Sequence, residues 1–271
     1  MKEAKFLAAR HKTVRKANDL IQKSRFDLSL QQQKVLLYII SQIKPSDENF
    51  NCLEFSIVDF CRVCGIQESG KNYNALKEAI KEIADKSVWV ILPGGTETLF
   101  RWIEKAKIYE KSGILSLKLD DDMKPFLLQL KENFTQYELI FTLHFKSKYT
   151  IRLYELIKSI HYQELQEYRQ QFTVEHLKIL LGAEKYKTFQ HFKDRVLIPC
   201  VREINEYSDK ILSYELIKSS RAYTDIVFTM KSKNSIETLR IKDSIDKEMG
   251  LLPGQITLWD ELLEKGYVKY K

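Results

Sequence analysis

Between residues 185 and 207 apolar side chains return at helical spacing. Phe189, Phe192, Val196, Cys200 and Ile204 form one stripe, with Lys187, His191, Asp194, Arg195 and Arg202 turned away from it. A shorter helix precedes this one over 173–181 and stops at Gly182. Two runs rich in β-branched and aromatic residues follow, 211–216 and 225–230. Helix, helix, then hairpin describes a winged helix-turn-helix, whose second helix enters a DNA major groove while the hairpin lies along the backbone. The basic face of 185–207 has two readings, a surface that reads DNA or a solvated face on a core helix.

The first half repeats the pattern. Ser29-x-x-Gln32 is a capping box for a helix over 29–43, with Val35, Leu36, Ile39, Ile40 and Ile43 inward and Lys44-Pro45-Ser46 ending it. A short strand is predicted at 50–55. Ser56-x-x-Asp59 opens a second helix that closes at Gly65, and a third runs over 71–85 with Tyr73, Leu76, Ile80 and Ile83 inward. Strands at 87–92 and 99–109 flank Pro93-Gly94-Gly95, and Lys111-Ser112-Gly113 turns into a strand at 114–119. A short helix at 120–130 tolerates Pro125 early in its course. The stretch 134–145 is aromatic and irregular. An amphipathic helix at 147–161 (Ile151, Tyr154, Leu156, Ile157, Ile160) then opens the second half. After Lys233 the tail is mixed in charge, with a last helix expected at 256–265.

Gly65 followed by Tyr73, Leu76, Ile80, Ile83 and SVWVIL parallels Gly182 followed by Phe189, Phe192, Val196, Ile204 and ILSYEL. Two copies of one supersecondary unit fit such a period. The expected fold is α+β, tandem winged-helix domains, mainly helical with small antiparallel hairpins. The expected division is a basic arm at 1–25, a first domain at 26–145, a second at 146–233 and a tail at 234–271.

Composition adds that a chain of 271 residues, 44% apolar and 30% charged, can bury substantial cores. No apolar run reaches the ~18 residues that span a membrane. The opening MKEAKFLAARHK is too charged for a signal peptide, so a cytoplasmic protein is expected. The formal charge of +7 is uneven: residues 1–25 hold eight Lys/Arg against Glu3 and Asp19, a net of +6. Residues 185–195 set four cations against Asp194, and 218–233 set four against Asp225. A concentrated basic balance favours a polyanion partner without separating DNA, RNA and acidic membrane. The arm reads as a free tail or as a segment that follows phosphates, and its one-sided charge favours the second.

Catalytic signatures are thin. Cys61-x-x-Cys64 has only Cys52 nearby, and no second pair completes four metal ligands, so buried reduced thiols are expected and no metal. There is no GxxxxGK[ST] or GxGxxG loop to hold a nucleotide cofactor, and the five histidines contain no HxH pair. Asp120-Asp121-Asp122 resembles a metal cluster, but consecutive side chains diverge and a capping run explains them more simply. No catalysis and no cofactor are expected.

These residues carry a resemblance. The chain resembles the Rep initiator proteins of iteron-containing bacterial plasmids over roughly residues 14–231. The front signal is VRKANDLIQKSRFDLSLQQQKVLLYIISQIKP. The second half gives FKDRVLIPCVREINEYSDKILSYELIK and then YTDIVFTM, with Val196-Leu197-x-Pro199 and Glu203-Ile204-Asn205 the most specific piece. The resemblance implies a C-terminal domain that reads directly repeated origin DNA, and an N-terminal one that adds backbone contacts and dimerises. It further implies origin opening by monomers, repression of the protein's own gene by dimers, and host helicase and a DnaA-type initiator as partners. A winged-helix repressor and a nicking enzyme remain alternatives.

Carried onto this chain, Lys187, His191, Asp194 and Arg195 stand where base-edge readers belong, with Thr188 beside them. Arg195 suits guanine. Asp194 either orients Arg195, accepts from cytosine, or makes a surface ion pair. Lys185, Lys193, Arg202, Lys218 and Arg221 suit phosphates, which set register without reading sequence. Lys71, Asn72, Asn74, Lys77 and Lys81 lie on the outer side of the first domain's third helix, diluted by Glu78 and Glu82. Trp89 and Trp102 either give an edge for pairing two copies or fill the first core.

Overall fold

The structure, a computed structural model, describes residues 8–92, 94–109, 112–161, 166–250 and 265. The basic arm, expected to follow phosphates, is over its described part woven into the first domain. Strand β1 (Thr13–Ala17), helix α1 (Asn18–Gln22) and strand β2 (Ser24–Arg25) each find a distant partner. Val14 and Lys16 point inward from β1, and Lys16 carries its ammonium to within 2.6 Å of Glu155, so the charge that suggests a phosphate-following arm hides a period-two strand.

Helix α2 (Leu30–Ile40) starts at the capping box of Ser29 and Gln32, as its sequence demands. Strand β3 (Leu53–Ser56) hands over to α3 (Ile57–Val63) through Ser56, whose hydroxyl accepts the Asp59 amide. Helix α4 (Gly70–Ala84) buries Leu76, Ala79, Ile80 and Ile83. Strands β4 (Ser87–Ile91) and β5 (Glu97–Arg101) form a hairpin. The strand expected at 99–109 breaks at Trp102, which is buried, and β6 (Ile103–Tyr109) joins a different sheet with β7 (Ile114–Leu119). The helix expected at 120–130 shrinks to a 3₁₀ turn, Asp121–Met123, and α5 (Lys124–Leu127).

The stretch 134–145 is ordered. Strand β8 (Phe134–Glu138) pairs antiparallel with β1, and α6 (Ile140–Leu143) follows. Thr135 and Tyr137 point inward in alternation, but the partner strand lies more than a hundred residues away in the chain. Helix α7 (Lys148–Ile160), capped by Ser147, buries most of its surface.

The second domain adds β9 (Glu167–Thr173), α8 (Val174–Leu181) and α9 (Phe189–Phe192). A π-helical turn at Lys193–Leu197 follows, then α10 (Ile198–Tyr207), β10 (Lys210–Ser219) and β11 (Ala222–Ser232). Gly182 ends α8 at φ 66°, a left-handed setting that suits glycine. Strand β9 is absent from the sequence reading because it is an edge strand whose inward positions, Tyr168, Gln170 and Phe172, are only half-buried and include a polar residue.

The internal repeat is real but its strands pair differently from the sequence alignment. In the first domain the sheet order is β3-β7-β6, and in the second β10-β11-β9, so β6 corresponds to β10 and β7 to β11. The strand SVWVI belongs instead to the extra hairpin β4–β5, inserted between third helix and wing and paired with β2. The expected tail after Lys233 also folds. Helix α11 (Ser235–Glu248) begins at a capping box of Asn234 and Glu237 and buries Ile245 and Asp246. The helix expected at 256–265 lies outside the described residues except for Lys265. One contiguous core runs through both domains, from Val35 and Leu76 through Tyr154 to Phe228.

Candidate nucleic-acid interface

The helix read from sequence as 185–207 starts four residues later, because Thr188 caps it by accepting the His191 amide at 3.3 Å. Lys185 and Lys187 therefore sit in the turn before the helix, exposed at its N-terminal end. Phe192, Val196, Leu197, Cys200 and Ile204 have no exposed surface. His191, Asp194, Arg195 and Arg202 are exposed on the other side, and Lys193 is half-buried at the margin.

Pro199 sits in the second position of α10, just past the π turn, where the Ile198 N–H donates to Lys193 O. Proline lacks the N–H that a regular helix needs there. The stripe also advances by three successive four-residue steps from Phe192. In an α-helix each such step overshoots by about 40°. An i→i+5 turn absorbs the extra residue. Arg195 lies within that turn.

The wing is fixed to the start of this helix by aromatic contact. Phe189 and Tyr223 lie with ring centroids 4.6 Å apart, and the Lys218 ammonium sits 4.5 Å over the Tyr223 ring. A β-bulge falls between Ile217 and Lys218, and Ser220 takes φ 55° at the tip beside exposed Arg221. Phe189 and Tyr223 are the positioning residues that sequence reading misses; Phe189 appears only as a core residue. The first domain shows a smaller version, with Tyr73 of α4 against Gly113 in the turn of its wing between β6 and β7.

Not every cation is available. Lys231 pairs with Glu167 at 2.7 Å, and Lys233 donates to the carbonyls of Asn205 and Ser208. Of the four wing cations only Lys218 and Arg221 remain directed outward. Asp194 accepts from Gln190 at 2.7 Å, which occupies it without Arg195. The side chains of Lys187, Lys193, Arg195, Arg202 and Arg221 have no hydrogen bond or ion pair with the described residues.

In the first domain, Asn72 donates to Gln67 O, Lys81 pairs with Glu78 at 2.8 Å, and Lys77 is half-buried and engaged. Lys71 and Asn74 stay exposed. The arm contributes less than its charge suggests: Arg10 and Lys16 are buried, Lys12 is bound by Gln42 and Lys23 by Asp19. Trp102 fills the first core with its ring edge-on to Phe26 at 5.2 Å, whereas Trp89 is 48% exposed beside its cross-strand neighbour Leu99. Cys61, Cys64 and Cys200 are buried, and burial pushes the thiols of Cys64 and Cys200 up to about 12, so both stay protonated. No helix among the described residues is long and apolar enough to cross a membrane.

Two winged helices in tandem, with a basic helix and wing held as one surface, place the chain among winged-helix DNA-binding proteins. It matches the family model described as Initiator Replication protein, WH1 over residues 13–158 and that described as Initiator Rep protein, WH2 over 173–230, and it belongs to this family of replication initiators. It is 27% identical over 268 residues to a replication initiation protein of Escherichia coli, covering 94% of this chain and 81% of that one. A solved structure of the Pi initiator protein in complex with iteron DNA is similar in fold, with TM-score 0.71 at 20% identity, covering 83% of this chain and 99% of that chain.

Proposed function

We propose that the protein initiates plasmid replication by binding directly repeated sites in duplex origin DNA and promoting their opening. The observation that carries this reading is the set of exposed side chains Lys187, Arg195 and Arg221, unpartnered among the described residues, with His191 and Lys218, on a helix and wing joined by Phe189 and Tyr223. Arg195 and His191 read base edges, with Lys187 and Thr188 at the helix entrance and Asp194 holding Gln190. Lys185, Lys193, Arg202, Lys218 and Arg221 contact phosphates. In the first domain Lys71 and Asn74 lead, and Asn72, Lys77 and Lys81 give weaker backbone contact. The family membership and the Pi initiator solved with iteron DNA support this assignment.

The same reading makes the protein a cytoplasmic DNA-binding factor without a catalytic step or cofactor. It acts with host helicase and a DnaA-type initiator, and represses its own gene as a dimer. Exposed Trp89, Leu99 and Ile91 on the β4–β5 hairpin supply an apolar surface for self-association.

Binding-site selection from random duplex DNA, followed by footprinting beside the protein's own gene, tests the reading. A selected site of about two helical turns recurring as direct repeats is expected, a turn being about 10 bp. A single inverted repeat at the promoter makes the protein a repressor. No enrichment at moderate salt removes sequence-specific binding altogether.

A further inference from the structure

Helix α11 leaves the second domain at the end of the wing strand β11 and fastens onto the first. Its 14 residues span about 21 Å at 1.5 Å per residue. On the way it packs against α10, the second half of the reading helix, and against α6 of the first domain. Its far end is knotted by ions. Asp246, 2% exposed, accepts from Arg10 Nη1 at 3.0 Å through one oxygen and from His11 Nε2 at 2.9 Å through the other. His11 Nδ1 lies 3.0 Å from Glu138 of β8, and Glu138 also binds Lys242 of α11.

Besides longer bonds to Met249 O and Asp246 O at the end of α11, Arg10 also donates to the closing carbonyls of α3, Nε to Val63 O at 3.0 Å and Nη2 to Arg62 O at 2.9 Å. Those carbonyls form the negative end of a helix, which favours a cation. Glu248 pairs with His144 at 3.0 Å, and Met249 lies against Gly65 so closely that a Cβ there would meet it at 3.0 Å. A buried ion pair with every donor and acceptor used specifies one arrangement, and removing one partner leaves a charge stranded.

We propose that α11 is a strap that sets the position of the second domain's reading helix relative to the first domain, with Arg10, His11, Glu138 and Asp246 as positioning residues for two-domain DNA binding. The inference rests on the proposed DNA reading for its effect on affinity, but not for the strap itself. None of these four residues is among those proposed above to contact DNA. What the strap supplies is a fixed spacing, so that binding by one domain presents the other at high effective concentration. The latch also has a pH limit. Burial lowers the pKa of His11, but hydrogen bonds and charge from Asp246 and Glu138 outweigh this and raise it to about 9. Arg10 and Lys242 are the cations that face the same acids. Because the folded value is raised, the His11 contribution is complete below about 6.5 and is lost as pH rises through about 9.

The test uses the full chain with spin labels at Asp85 and Ser213 in a Cys52→Ser background, and measures the distance between them without DNA. A single narrow distribution is expected, broadened by Asp246→Ala and largely restored in Asp246→Asn. On DNA, Asp246→Ala should lose about tenfold or more on a full site, while affinity for a half-site read by the second domain alone changes less than about twofold. If Asp246→Ala does not fold, His11→Asn serves. The wild-type distribution should broaden between pH 7 and pH 10 and the variant should show no such step, which separates His11 from other groups titrating there. A distribution that stays narrow in folded Asp246→Ala, or in wild type at pH 10, overturns the strap. Broadening with equal loss on both DNAs overturns its positioning role. Broadening with no binding by any protein rejects the DNA reading and leaves the strap standing.

Discussion

Arg195 and Lys218 are both exposed cations near the same surface, yet their surroundings assign them different work. Arg195 stands in the π turn with its guanidinium unpartnered among the described residues, and its planar fork matches the O6 and N7 acceptors of a guanine. Lys218 rests over the Tyr223 ring on the wing, where a compact charge meets a phosphate but cannot distinguish one base from another. Arg195→Ala should therefore cost about 1–3 kcal/mol at one base position and relax preference there. Lys218→Ala should weaken every duplex alike and lower the slope of log affinity against log salt by about one. Competition binding on specific and random duplexes across a salt series separates the two. If both variants behave identically on both DNAs, 189–207 is not the reading helix. Asp194 has a settled local role in holding Gln190, so a cytosine amine would have to displace that bond.

The π turn decides what the reading helix presents, and two causes compete to explain it: the missing N–H of Pro199, or the packing of the stripe. Regularising the turn would gain about 1 kcal/mol for a restored helix hydrogen bond. It would also swing one half of the helix and lift Val196 or Leu197, both fully buried, out of the core at about 1.5–3 kcal/mol each. Packing wins. Pro199→Ala is expected to keep the π turn and to hold specific DNA affinity within about twofold, since even 0.4 kcal/mol is only a factor of two. A collapse of specific binding in a normally folded Pro199→Ala protein would show that the proline sets the turn. Features of this local kind are legible in the chain: the caps Ser29, Ser56, Ser147 and Thr173, the glycine stop at 182, and the aliphatic stripes of α2, α4 and α7. Hidden features owe their structure to partners far away. Strand β1 needs β8, β2 needs β4, and half-exposed β9 is recognisable only beside β11. Arg10 and Lys16 look like solvated cations until Asp246 and Glu155 appear beside them. For the same reason the charge of the interface is overcounted from sequence, which cannot show Lys231 and Lys233 spent on Glu167 and two carbonyls.

At the scale of the whole molecule the two domains share a core rather than a linker, and besides the α11 strap one guanidinium ties them from within. Arg152 of α7 is 6% exposed and lies 4.2 Å over the Phe26 ring, which in turn meets Trp102 at the centre of the first domain. Its Nη2 donates to Ser24 O of β2 at 3.1 Å and to Leu180 O of α8 at 2.9 Å, so one side chain ties a strand of the first domain to a helix of the second. Burial pulls its pKa down to about 10, with Glu155 opposing, and it remains a cation at neutral pH. A charge this deep is tolerated only because its donors find carbonyls and its flat face finds a ring. Arg152→Met keeps much of the length and removes the donors. Two buried carbonyls lose their partner, at about 1–3 kcal/mol for each group left unsatisfied. Because that loss falls on the junction and not inside either domain, the expected outcome is a change of cooperativity as well as of stability. The wild type should unfold in a single calorimetric transition, and Arg152→Met in two, the first at lower temperature. A single transition at an unchanged midpoint would mean that the apolar surface around α7 joins the domains unaided and that the guanidinium fills space without tying them.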